Sequence, residues 1–231
     1  MPGPTPPRAA PLLLAALPLA ALSAFVLLCA AAGWQPLMEL DRTVAVRLHE
    51  EALAHPGWTR THRVLTDWVW DPLTVRLLLA AAALWLLTRG EWPLVLWIAA
   101  TALVAAGVQQ GLKAALGRDR PRWSQPVDSA HYAALPSGHA MTAAFGCVLL
   151  LWLAHRAGLS ARVRRLALAA ACVSVAGVSL TRVWLGVHWV SDTVAGALLG
   201  TALALAAAAG GNALAARRHW QAHSDPGSIR A

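Results

Sequence analysis

Charge is the first thing this chain lacks. Only 13% of its 231 residues are Asp, Glu, Lys or Arg, about half the usual share in soluble domains. With 58% of residues hydrophobic even when glycine is left out, a water-soluble fold would have nowhere to hide its apolar surface. A soluble enzyme or binding module is therefore excluded, and the chain is expected in a membrane.

Cysteine is scarce as well. Cys29, Cys147 and Cys172 fall inside apolar runs without any Cys-x-x-Cys spacing, which excludes a disulfide framework and a thiolate metal site and leaves small packing residues. Internal repeats are absent. Lysine is rarer still: Lys113 is the only one, against 18 arginines. The net charge of +8 and pI near 11.1 would suggest nucleic acid in a soluble protein. Here the cations sit in short segments between apolar runs, as orientation signals and headgroup contacts do, and no nucleic-acid partner is expected.

About 20 apolar residues cross a bilayer as a helix. Pro11–Gly33, Pro72–Thr88, Trp92–Leu112, Ala140–Leu153 (extended back to Ser137), Val163–Thr181 and Val190–Ala216 qualify, so the expected fold is an all-α, polytopic membrane protein with six spans. The expected layout is a single membrane domain over residues 11–216, its motif-bearing core at about 90–210, between unstructured tails at 1–10 and 217–231. Arg8, the first apolar run and the small residues 30-AAAG-33 also resemble a cleavable secretion signal; the length of the run favours a retained helix. Several tryptophans, Trp34, Trp68, Trp70, Trp92 and Trp189 among them, flank the apolar runs as an interfacial belt does. Between spans one and two, 40-LDRTVAVRLHEEAL-53 repeats Leu40, Val44, Leu48 and Ala52 at four-residue steps. That pattern predicts an amphipathic helix lying along the interface with those four positions as its apolar face. Arg156, Arg162, Arg164 and Arg165 crowd the connection between spans four and five, which favours both termini inside.

Six spans leave five connections, and the odd-numbered ones share a side whichever way the chain inserts. Connection three carries Lys113, Arg120-Pro121 and 136-PSGH-139; connection five carries 181-TRVWLGVHWVSD-192. Ser137 is placed to cap span four, whose first turn offers free N–H groups to an anion. Gly138 would let the backbone approach that anion, with His139 beside it. His188 and Asp192, four residues apart, are expected on one helix face, where a carboxylate can hold one imidazole nitrogen and leave the other free to attack. Three cations (Lys113, Arg120, Arg182), the donors of Ser137 and Gly138, a nucleophile (His188) and a proton donor (His139) suit phosphoryl transfer. No Asp/Glu/His cluster suits Mg²⁺ or Zn²⁺, so metal-independent chemistry through a phosphohistidine is expected, with no cofactor. His131, Asp128, Arg118, Asp119 and Arg122 are expected to be solvated loop residues or headgroup contacts, and Asp67 and Asp71 to be helix-end residues.

Lys113-x6-Arg120-Pro121, 136-PSGH-139 and Arg182-x5-His188-x3-Asp192 resemble the signature of the type 2 phosphatidic acid phosphatase family of membrane lipid phosphate phosphatases, over roughly residues 40–210. The resemblance implies that His188 attacks phosphorus, Asp192 orients it and His139 protonates the leaving group. It also implies that Lys113, Arg120, Ser137, Gly138 and Arg182 bind the phosphate without a metal. One departure is Thr181, where the family usually has serine. The expected substrate is a lipid phosphate or pyrophosphate reaching the site from the bilayer, of the isoprenoid, phosphatidylglycerol phosphate or phosphatidate class. The expected setting is a bacterial-type plasma membrane with the site on the extracytoplasmic face. The alternatives are a lipid phosphotransferase using the same site and a non-enzymatic headgroup-binding carrier. A vanadium-dependent haloperoxidase is disfavoured by the six spans and the short third connection. Oligomeric state is left open.

Overall fold

The computed structural model describes residues 9–224, with side chains as far as Arg217. Its helices are α1 (Ala9–Ala31), α2 (Gln35–Ala54), α3 (Pro56–Val64), α4 (Pro72–Thr88), α5 (Trp92–Leu116), α6 (Gly138–Arg156), α7 (Ala161–Trp184) and α8 (Val190–Ser224), with a π-helical turn, Leu65–Val69, between α3 and α4. No strand occurs among the described residues. Six stretches are long and apolar enough to span a membrane: α1, the α3–α4 run Pro56–Thr88, α5, α6, α7 and α8 as far as Arg217. That agrees with the expected count, and α4 agrees with the expected bounds to the residue.

Local chemistry sets the helix ends. The Asp71 carboxylate caps α4 by accepting from Leu73 N at 2.7 Å, with Pro72 in the first turn. α2 stops at His55 because Pro56 follows it and disfavours helical backbone there. Gly117 ends α5 in the left-handed conformation at φ 55° and turns the chain into the long connection before α6. Ser137 stands at the N-cap of α6 as expected, but its hydroxyl makes no capping bond.

Two expectations need correction. The inward face of α2 is Asp41, Ala45, His49 and Ala52; of the expected row, Ala52 is buried, Val44 and Leu48 are half-buried and Leu40 is exposed. Between helices in a membrane protein, small residues permit close approach and large apolar ones turn outward to lipid; the four-residue row beginning at Leu40 follows the rule for soluble helices instead. The C-terminal tail was expected from residue 217, but α8 runs to Ser224, continuing through the good helix formers of 213-ALAARR-218. Residues 1–8 and 225–231 of the expected tails lie outside the described residues.

The core forms around α6, whose buried Met141, Phe145, Leu149 and Trp152 meet Val75 and Leu79 of α4, Leu94 and Ile98 of α5, and Ala204, Ala207 and Ala208 of α8. α6 and α8 cross at Gly196 and Gly200. A Cβ on Gly196 would stand 2.6 Å from the Ser137 carbonyl oxygen, and one on Gly200 would stand 2.3 Å from that of Met141. This is the small-xxx-small crossing of membrane helices, in which only glycine lets the backbones touch. It joins the start of α6 to the start of α8, and Ser137 N donates to the Asp192 carbonyl at 2.9 Å.

Candidate active site

The crossing brings 136-PSGH-139 against the α7–α8 turn, and the loop after α5 closes over both. A cavity of about 440 Å³ opens between them. Lys113, Arg120, Gly138, His139, Arg182 and His188 all line it. Two of the eight expected residues do not. Ser137 is fully buried with its Oγ unpartnered among protein atoms, and Asp192 lies behind His188. The Arg182 side chain reaches the cavity from the last turn of α7, and its Nε is likewise buried without a protein partner. Buried polar atoms of this kind are rare in native folds and mark places where a ligand or water completes the bonding.

His188 precedes α8 and does not lie on its face as expected. The chain turns at Gly186, and Asp192, in the first turn of α8, reaches back: its Oδ2 accepts from Trp189 N at 2.9 Å and lies 3.3 Å from His188 Nδ1. One carboxylate thus caps a helix and holds an imidazole, so the helix-start role of Asp192 and its role beside His188 coincide. On the far side of the ring, Arg120 Nη1 lies 3.1 Å from Nε2 and donates to the Val187 carbonyl at 2.5 Å. With a carboxylate on Nδ1 and a guanidinium on Nε2, the partners assign the proton to Nδ1 and the lone pair to Nε2. Burial pushes the His188 imidazole down to about 4, against the upward pull of Asp192, so the ring is neutral at physiological pH. Burial also pulls the Arg120 guanidinium below its ordinary range.

The loop over the site is tied to its cations. Arg120 donates from Nε to the Tyr132 carbonyl at 2.9 Å and from Nη2 to that of His131 at 3.0 Å, and Lys113 Nζ donates to the Ala133 carbonyl. Gly138 faces the amide end of Gln109, which a Cβ there would meet at 2.6 Å. Thr181 turns its buried hydroxyl onto the Val178 carbonyl of its own helix at 2.8 Å, away from the cavity. Among the described residues, no group of three or more His, Cys, Asp or Glu side chains is placed to hold a metal ion.

A sequence profile of the PAP2 superfamily matches residues 92–220, more than half of the chain. The chain belongs to the PAP2 superfamily. Its fold is similar to that of a solved membrane protein, the transmembrane PAP2-type phosphatidylglycerolphosphate phosphatase from Bacillus subtilis, at a TM-score of 0.68 and 21% identity over 87% of this chain and 94% of that one. No curated protein sequence matches. With six apolar helices and a membrane protein of like fold, this PAP2 protein is an integral membrane protein.

Several residues of the PAP2 site escaped the reading of the sequence. Asp128 and His131, expected as solvated loop residues or headgroup contacts, line the cavity, His131 while staying exposed. Asp71 both caps α4 and places Oδ2 3.9 Å from His139 Nε2. Asp119 and Arg122 behave as expected, pairing at 3.2 Å in solvent. Arg118 does not. It is 13% exposed and bridges two carboxylates, Asp41 at 2.8 Å and Asp192 at 2.7 Å. Its signal in the sequence was faint, one of three arginines in 118-RDRPR-122. For Asp41 the pattern was available, since it shares the small-residue face of α2 with Ala45 and Ala52.

Proposed function

We propose that the protein is a metal-independent lipid phosphate phosphatase that works through a phosphohistidine on His188. The coarser statement, a membrane lipid phosphatase, is supported by PAP2 membership and by the fold shared with the Bacillus subtilis phosphatidylglycerolphosphate phosphatase. The observation that carries the finer one is the line Asp192–His188–Arg120 at the cavity wall, a carboxylate on Nδ1 and a guanidinium at Nε2. A buried, neutral, oriented imidazole surrounded by cations is what a phosphorus nucleophile requires.

Nε2 attacks phosphorus, forming the P–N bond as the bond to the lipid oxygen breaks. His139 gives that oxygen its proton. Water then attacks the phosphohistidine, His139 takes the water's proton, and the P–N bond returns its electron pair to Nε2 as inorganic phosphate leaves. Lys113, Arg120 and Arg182 offset the charge of the transferring group. The Gly138 N–H, at the positive end of α6, donates to its oxygens, and the Ser137 hydroxyl, which lies behind the cavity wall, is assigned to them by the family resemblance. The unpartnered Ser137 Oγ and Arg182 Nε support this, because donors meant for a substrate oxygen have no protein partner to give up.

An apolar cleft of about 60 Å³ supports a lipid substrate. It is lined by Leu79, Ala102, Ala105, Met141 and Phe145, and it shares Arg76, Gln109 and Thr142 with the phosphate cavity. The first methylenes of a lipid tail entering there would leave its phosphate among the cations. The substrate class is an isoprenoid phosphate or diphosphate, phosphatidylglycerol phosphate or phosphatidate. With termini inside, as the arginines around the α6–α7 connection favour, the site faces the extracytoplasmic side of a bacterial-type plasma membrane. The test is phosphate release from a panel of these lipids by purified protein in chelator, beside His188→Ala. Release by the parent and none by the variant is expected. Equal release by both, or a strict metal requirement, overturns the mechanism.

A further inference from the structure

Outside the residues assigned to phosphate, a buried polar cluster joins α2 to the carboxylate behind His188. Asp41 is 1% exposed and uses both oxygens. Oδ1 accepts from Ser191 N at 2.9 Å; Oδ2 accepts from Arg118 Nη2 at 2.8 Å and from the Ser191 hydroxyl. Arg118 Nη1 donates to Ser191 Oγ and to Asp192 Oδ1, both at 2.7 Å, and its guanidinium lies over the Trp189 ring. Asp192 Oδ2 is left to Trp189 N and His188. None of Asp41, Arg118 and Asp192 lines the cavity.

We propose that Asp41 and Arg118 are positioning residues for the reaction, holding Asp192 in place while keeping its negative charge effective toward His188. The need for two residues follows from charge. A guanidinium alone would fix Asp192 through charge-assisted hydrogen bonds, but it would also cancel the carboxylate that His188 needs as positive charge develops on its ring. Asp41 supplies the second carboxylate. Two carboxylates around one guanidinium leave a single negative charge, which faces the imidazole in a buried setting where such interactions are strong. A second consequence follows from Asp41 binding the first turn of α8 through Ser191 N: the nucleophile is fully assembled only when α2 is docked. The interfacial helix is thereby part of the catalytic apparatus, though it does not touch substrate.

This inference rests on the phosphohistidine reading, so the experiment first requires that wild-type protein release phosphate and that His188→Ala not do so. The variants are Asp41→Asn, Arg118→Lys, Arg118→Gln and the double variant Asp41→Asn with Arg118→Gln, as full-length protein. Each is assayed for kcat, for KM and for competitive inhibition by inorganic phosphate, which reads the anion site and the fold independently of turnover. Asp41→Asn is expected to lower kcat by roughly 10- to 100-fold, the usual cost of losing a partner behind a functional group. KM and the phosphate inhibition constant should stay within about twofold of wild type. Arg118→Lys keeps the charge but not the fork, and is also expected to lower kcat alone. The double variant restores a single negative charge and is expected to be faster than Arg118→Gln, where the two carboxylates face each other uncompensated. A wild-type kcat in Asp41→Asn, or a loss confined to KM and phosphate inhibition, overturns the proposal. So does a double variant slowed by the product of its single effects. If Asp41→Asn does not fold, Arg118→Lys decides by the same split. A parent active through His188 combined with any of the overturning results sinks this inference and leaves the phosphohistidine reading standing.

Discussion

The two sides of the cavity are built differently. On one side α6 and α8 meet backbone to backbone, half of each span is buried, and Ser137, Gly138, His139 and His188 stand at their adjoining ends. On the other side the α3–α4 run and α5 bury only 17% of their spans, and they offer the cavity long side chains, Arg76, Gln109 and Gln110. His188, the proposed nucleophile, and Asp192 sit on the packed side, where close backbone contact holds the geometry. The apolar cleft lies where α4 and α5 of the loose side meet α6, the route proposed for a lipid tail. The difference is that between groups placed to within fractions of an ångström for reaction and surfaces free to move for exchange.

Breaking the packed side has the largest expected effect. Gly200→Val puts a branched side chain where a Cβ already stands 2.3 Å from the Met141 carbonyl oxygen, and the helices cannot both stay. Loss of all activity and of most monodisperse protein in detergent is expected. Gly111→Ala on α5, with nothing within 4 Å of the added Cβ, is expected to purify and turn over normally. A chain tolerating both substitutions would erase the contrast. Lys113→Arg comes next. Its Nζ shares the Ala133 carbonyl with Arg120 in a space fitted to a point charge, and a guanidinium there changes reach and geometry. It is expected to lower kcat/KM on the order of 100-fold, with membrane insertion, checked by fractionation, unchanged.

Titration comes third. Burial on the packed side holds His188 at about 4, so its lone pair persists well below the ordinary imidazole range. The sign is that of a lowered pKa: the ring is neutral above about 4, and activity is lost as pH falls through that value. A kcat/KM profile whose acid limb lies near 6.5 instead would mean that His188 is hydrated, and that the packed side is looser than it is drawn here. On the loose side, Arg76→Gln is expected to raise KM several-fold with little change in kcat, because Arg76 meets both the cavity and the cleft but not His188. The smallest effect is expected from Thr181→Ser. That hydroxyl bonds Val178 within its own helix and does not line the cavity, so turnover should stay within about twofold.

Much of the loose side and all of the span layout could be read from the chain, because both depend on composition and short-range pattern. Apolar length gave the six spans, and parity put connections three and five on one side, where the cavity indeed opens. Reading α2 went wrong for a definite reason. A row of large apolar residues faces inward in water, whereas at a membrane the small-residue row, Asp41 to Ala52, packs inward. With that face misjudged, Asp41 had no role, and Arg118, its partner, looked like one more solvated arginine.

By itself the sequence determined the membrane class, the six spans, and the presence on one side of three cations, two histidines and an aspartate. It also held the His188–Asp192 pair, since four residues of chain bring the carboxylate back to the ring in almost any helix start. Those are consequences of near neighbours and of a solvent that rejects unpaired backbone. Only the tertiary structure decided that Ser137 and Arg182 keep unpartnered donors, that Gln109 crowds Gly138, and that Asp41 and Arg118 stand behind Asp192. Each depends on how closely segments distant in sequence approach, which summed packing decides and no local pattern records.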